Sequence, residues 1–94
     1  MIIIDSNVVQ NSIKYYGSDL QTTVRMEECS ELIQAISKMK RGKDNRDNLI
    51  EEMADVMIRM DILKQVYGVS DSEIQNYACK KQDRCIERMK SDES

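Results

Sequence analysis

No proline interrupts this chain anywhere, and glycine occurs only three times in its 94 residues. Proline removes a backbone donor and clashes with the preceding turn, while glycine weakens a helix entropically, so their scarcity leaves long helices almost unopposed. The few stops that exist can be read directly. Ser6 can N-cap a short helix from about Asn7 to Tyr16, and Gly17 ends it. Ser18 or Asp19 opens a second helix to about Met39, followed by the polar loop Lys40-Arg41-Gly42-Lys43-Asp44-Asn45-Arg46. Asn45 or Asp47 caps a third helix that reaches Tyr67 and closes at Gly68. Ser70-Asp71-Ser72-Glu73 has the form of a capping box for a fourth helix to about Lys90, with Ser91 to Ser94 fraying. The expected fold is all-α, a four-helix bundle-like protomer whose two long antiparallel helices are flanked by two others. Residues 1–94 make one domain.

A chain this short buries little on its own. Its only aromatics are four tyrosines, so the core must come from Ile, Leu, Val and seven Met. An oligomer, a homodimer or homotetramer, is therefore expected. The net charge of −3 argues against sequence-independent nucleic-acid binding. Histidine is absent, and Cys29, Cys79 and Cys85 form no CxxC pair, which excludes the usual zinc patterns and every histidine-based triad. An odd, scattered cysteine set suits a reducing cytosol. The apolar start, Met1 to Ile4, is too short for a signal peptide or a membrane span and is expected to pack on the bundle.

Helical wheels normally keep acids off the apolar arc. On the second helix, Leu20, Val24, Cys29, Leu32, Ile33, Ala35, Ile36 and Met39 form one wide arc, yet Glu28 and Glu31 fall within it. The third helix repeats the anomaly: Glu52 and Asp55 lie inside the sector of Val56, Ile62, Leu63 and Val66. Its opposite side, Leu49, Ile50, Met53, Met57 and Met60, is apolar too, so only Asp61, Lys64 and Gln65 read as a wet strip.

Glu28 with Glu31, and Glu52 with Asp55, each set two carboxylates three residues apart on one helix face. Glu27 and Glu51 add an acid one turn from Glu31 and Asp55. Antiparallel packing of the two helices makes four to six acids converge, and partly buried carboxylates repel one another. The compensating charge is either Arg59, one turn beyond Asp55, or a bound cation. One arginine is too little for four acids, and an all-oxygen donor set favours Mg²⁺, with Mn²⁺ possible. Ca²⁺ fits less well, since helix-borne carboxylates are stiffer than the loops it prefers.

The stretch Glu27-Glu28-Cys29-Ser30-Glu31-Leu32-Ile33-Gln34-Ala35-Ile36, followed by Asn48-Leu49-Ile50-Glu51-Glu52-Met53-Ala54-Asp55-Val56, resembles the MazG-like branch of the all-α nucleoside triphosphate pyrophosphatases. The resemblance spans roughly Tyr16 to Arg88. It implies a helical oligomer that hydrolyses (deoxy)nucleoside triphosphates to the monophosphate and pyrophosphate, with Mg²⁺ held by Glu28, Glu31, Glu52 and Asp55. On that reading Glu27 or Glu51 takes the proton of the attacking water. The resemblance also implies basic phosphate contacts from a late helix, for which Lys81 and Arg84 are the nearest match, with Arg59 as a further candidate. The loop cluster Lys38, Lys40 and Arg41 is another source of phosphate contacts. The alternative is a non-catalytic helical module that binds a metal, a nucleotide or a partner on the same fold.

Overall fold

The computed structural model describes residues 1–43 and 45–93; Asp44 and Ser94, and the side chains of Arg25, Met26, Glu28 and Glu93, lie outside the described residues. Four helices follow one another: α1 (Ser6–Tyr16), α2 (Ser18–Lys40), α3 (Arg46–Tyr67) and α4 (Asp71–Glu93). No strand occurs among the described residues.

The helix ends explain the breaks. Asp5, not Ser6, caps α1: its carboxylate accepts from the backbone N–H of Asn7 at 3.0 Å and of Val8 at 3.3 Å. A carboxylate there also meets the positive end of the helix dipole, which a serine hydroxyl does not exploit as well. Gly17 ends α1 and begins α2 with φ +87°, a conformation costly for a residue with a side chain. Its N–H donates to the Ile13 carbonyl at 2.8 Å and its carbonyl accepts from Gln21 at 3.1 Å, so one residue serves both helices. Neither Ser18 nor Asp19 acts as a side-chain cap; both lie in the first turn of α2. Asn45 stands at the start of α3, but its amide donates to the Asn48 side chain at 2.9 Å. Gly68 closes α3 in the left-handed conformation, and the Ser70 hydroxyl accepts from the Glu73 N–H at 3.2 Å. Helix α4 continues to Glu93 instead of fraying after Lys90, because no glycine or proline stops it.

Helices α2 and α3, joined through residues 41–45, pack along one another as an antiparallel hairpin, and α1 lies across both. Val9, Ala35 and Ile62 are the buried apolar residues. The contact of α1 with α3 is polar. Asp61 accepts from the Ser6 hydroxyl at 3.4 Å and from the Gln65 amide at 2.9 Å, and Gln65 also donates to the Ser6 carbonyl at 3.0 Å. The strip expected to be wet is thus partly covered: Asp61 is only 8% exposed because α1 rests on it, while Lys64 and Gln65 are half-buried.

The fourth helix departs from the expected bundle. Among the described residues α4 packs against none of the other helices, and all its described side chains are exposed except the half-buried Ala78. The radius of gyration is 16.5 Å, against about 12 Å for a compact chain of this length. Lys64, near the end of α3, pairs with Asp71 at the start of α4 and ties the two helix ends together. The chain forms a three-helix cluster with a projecting fourth helix. Met1, Ile2 and Ile3 are exposed and only Ile4 is half-buried, so most of the apolar start does not pack on the cluster. Ile50, Met53, Met57 and Met60 leave an apolar face of α3 exposed. No described helix is long and apolar enough to cross a membrane.

Candidate functional site

Both acidic motifs sit in helix interiors, away from any end where an acid would serve as a cap. Glu31 lies nine residues before the end of α2, and Asp55 lies nine residues after the start of α3. In an antiparallel hairpin they share a level, about 14 Å from the connecting turn. Rigid helices on both sides fix the spacing of these groups more tightly than loops would.

Glu52 is buried and Arg59 beside it is 1% exposed, the largest fully buried side chain of the described set. The Arg59 guanidinium lies 3.8 Å from the Glu52 carboxylate and 3.7 Å from that of Asp55. Asp55 keeps nearly half its side chain in solvent. The helix brings these three together by its own period: Asp55 stands one turn after Glu52, and Arg59 one turn after Asp55. Sinking a lone carboxylate into this interior would cost several kcal/mol, on the order of what a broken buried ion pair loses. Arg59 supplies the compensating charge. It faces Glu52 and Asp55, with its head group away from the surface.

The other expected site residues stand as follows. Glu27, Glu31 and Glu51 are exposed on the hairpin. Glu28 belongs to α2, and its side chain lies outside the described residues. Among the described residues no three acids or cysteines gather closely enough to hold a metal ion. The carboxylates of Glu52 and Asp55, one buried and one half open to water, nevertheless fit a hard divalent ion by donor chemistry. They are oxygen donors on one face of α3, near the level of Glu31 on α2, and the chain has no histidine to compete. Lys81 and Arg84 ride on α4, exposed and out of contact with their own hairpin.

A second charged cluster, which the sequence reading missed, lies one to two turns further along α3. Lys64 stands 3.8 Å from Asp61 and pairs with Asp71 of α4. Its pKa is raised above 10.5, first by the hydrogen bond with Asp71 and then by the charges of Asp71 and Asp61, against a partial desolvation penalty. The i, i+3 spacing of Asp61 and Lys64 was a visible signal; the covering of Asp61 by α1 had none.

A family model for the MazG nucleotide pyrophosphohydrolase domain matches residues 19–89. That span contains α3 whole, nearly all of α2 and most of α4, and leaves α1 outside. No curated protein and no solved structure matches the chain significantly.

Proposed function

The chain belongs to the MazG nucleotide pyrophosphohydrolase family, and from that premise we propose that it hydrolyses (deoxy)nucleoside triphosphates to the monophosphate and pyrophosphate in a Mg²⁺-dependent reaction. The observation that carries this reading is Glu52, a carboxylate buried in a helix interior beside Asp55 and level with the acids of α2. A scaffold would gain stability by replacing such a group with an apolar one.

Glu28, Glu31, Glu52 and Asp55 would hold the ion, Mg²⁺ or else Mn²⁺. A hard divalent ion at that position supplies neutralisation of polyphosphate charge and a more acidic water. Glu27 or Glu51, both exposed on the hairpin, would accept the proton of the attacking water. The water oxygen bonds to the α-phosphorus while the bond from that phosphorus to the α–β bridging oxygen breaks. Pyrophosphate departs with the electron pair. Arg59 balances the Glu52–Asp55 pair from the protein side, and Lys38, Lys40 and Arg41 near the hairpin turn offer contacts for outer phosphates.

Residues 1–94 act as one unit, and the exposed methionine face of α3 is the surface through which copies assemble as a homodimer or homotetramer. A reducing cytosol suits the free, exposed Cys29, Cys79 and Cys85. The service is housecleaning of the nucleotide pool. The rival, a non-catalytic module on the same fold, draws support from Arg59, which already balances two of the acids.

A panel of nucleoside triphosphates with Mg²⁺, read by phosphate release through added inorganic pyrophosphatase, separates the two. Turnover that needs both Mg²⁺ and the coupling enzyme is expected. Phosphate release without the coupling enzyme, or none with any nucleotide, would contradict the proposal.

A further inference from the structure

Among the described residues the most deeply buried charge is that of Arg59. Ile62, one turn further along α3, is buried as well, so apolar interior continues beyond the guanidinium. On its other side stand Glu52 and Asp55, at 3.8 and 3.7 Å. Both approaches are made by one nitrogen, Nη2, and both exceed hydrogen-bond length, so what acts along them is charge.

Exposure is graded across these three groups. Asp55 keeps nearly half its side chain in solvent, Glu52 far less and Arg59 almost none. A cation or phosphate arriving from solvent therefore meets Asp55 first and Arg59 last. Arginine holds its charge even when buried, and this one has interior, not water, behind it.

Two consequences oppose each other. Without a metal, carboxylates one turn apart repel, and a buried one is costly to leave alone. The guanidinium removes both penalties and keeps the pair ionised and aligned. With a metal, the same fixed positive charge acts against a second cation on the same carboxylates, and a low-dielectric interior strengthens that repulsion. Two carboxylates against one guanidinium leave the three groups at a net charge of −1, where the acids alone would offer −2. A polyphosphate supplies what the arginine cancels: its oxygens take open positions on a hard ion and bring negative charge with them.

Resting on the hydrolase reading above, we propose that Arg59 is a positioning residue of the metal site. It keeps Glu52 and Asp55 ordered while no ion is bound, and it holds down the affinity of the site for a free divalent ion. Ion and triphosphate then raise each other's affinity, reciprocally, and the site is loaded by the two together. Arg59 does this from beneath the carboxylates, touching neither the substrate nor the reacting atoms.

Mn²⁺ binding to the full chain without nucleotide, read by electron paramagnetic resonance, tests the role. Arg59→Met keeps an unbranched side chain and removes the charge, and Arg59→Lys keeps a cation beside the two acids. Arg59→Met is expected to bind free Mn²⁺ about tenfold tighter than the wild type, with Arg59→Lys close to the wild type. A merely structural arginine predicts the reverse, since loosened carboxylates hold an ion less well. Equal or weaker binding by folded Arg59→Met overturns the proposal. An Arg59→Met chain that circular dichroism shows unfolded in EDTA is expected to refold in Mn²⁺, because the ion takes over the compensation. A chain still unfolded in millimolar Mn²⁺ overturns it. In the wild type, equilibrium dialysis with Mn²⁺ and inorganic triphosphate should show each held about tenfold more strongly when the other is present; independent binding overturns the joint loading. None of these readouts needs turnover. A wild type that shows them but releases pyrophosphate from no nucleotide defeats the hydrolase reading and leaves the role of Arg59 standing. An active wild type whose Arg59→Met variant binds Mn²⁺ no tighter does the converse.

Discussion

Helix α3 carries one charged cluster in its interior and shares a second with α4, each a basic residue beside two acids but in different surroundings. Arg59 lies between Glu52 and Asp55 in the interior, and Lys64 lies between Asp61 and Asp71 at the α3–α4 corner. Arg59 is 1% exposed, whereas the Asp71 side chain is 84% exposed. The first cluster is expensive to bury and must be compensated, which is what supports the chemical role proposed for it. The second is open to water on its Asp71 side while α1 covers Asp61, and an ion pair at that open side contributes little and chiefly fixes direction. Similar charge arrangements therefore have different meanings, and burial of the basic residue separates them.

Breaking the inner cluster has the largest expected effect. Arg59→Leu leaves Glu52 without the guanidinium beside it, and urea unfolding without metal should show a loss of about 3–5 kcal/mol. A loss below about 1 kcal/mol would show that the pair is not a buried ion pair in solution.

Divalent ions sharpen the contrast. An ion bound only by the folded state stabilises it by about 2.7 kcal/mol at a hundredfold excess over its dissociation constant. Melting in Mg²⁺ or Mn²⁺ should occur above melting in EDTA, and Glu52→Gln should abolish most of the difference, while Asp71→Asn leaves it intact. Equal melting of the wild type at millimolar metal would argue against any ion at the inner cluster.

Asp61 falls between the two extremes, because it shares Lys64 with the outer cluster but is itself covered by α1. Asp61→Ala removes the acceptor for Ser6 and Gln65, and a loss of about 1–3 kcal/mol in urea unfolding is expected. An unchanged midpoint would show that α1 does not rest there in solution.

The smallest effect belongs to Lys64. Its raised pKa means that its contribution is complete below the unfolded value and is lost as pH climbs through the folded one, above 10.5. Lys64→Met should shift the melting temperature only slightly near neutral pH, and less still in high salt. A large, salt-insensitive shift would place Lys64 in the interior after all.

Much of the fold was legible because the breaks are glycines whose backbone conformation few other residues adopt: Gly17 and Gly68 end helices where the sequence says they must. Local capping was less so, since Asp5 and Ser6 are both good caps and only the final approach of α1 to Asp61 decides which is used. The wet strip was misread for the same reason, as periodicity within α3 says nothing about a helix arriving from elsewhere. The projection of α4 was hidden too, because its apolar and basic faces suit a bundle whether the partner is its own hairpin or another. Of the candidate site, the motif spacing put Glu52 and Asp55 on one helix face, and their contact with Arg59 followed from helical period. That Arg59 would be the most deeply buried large side chain was not visible, since nothing in a sequence tells a buried arginine from an exposed one.

The central claim is that Glu52 is buried to serve chemistry and not merely to pair with Arg59. Pyrophosphate release from a nucleoside triphosphate with saturating Mg²⁺, compared between the wild type and Glu52→Gln, tests it most directly. The substitution keeps size and hydrogen-bonding capacity and removes one negative charge from the ligand set. A fall in turnover of about a hundredfold or more is expected, with the folded state retained by circular dichroism. Turnover at the wild-type rate would contradict the claim and reduce the Glu52–Asp55–Arg59 cluster to a structural ion pair.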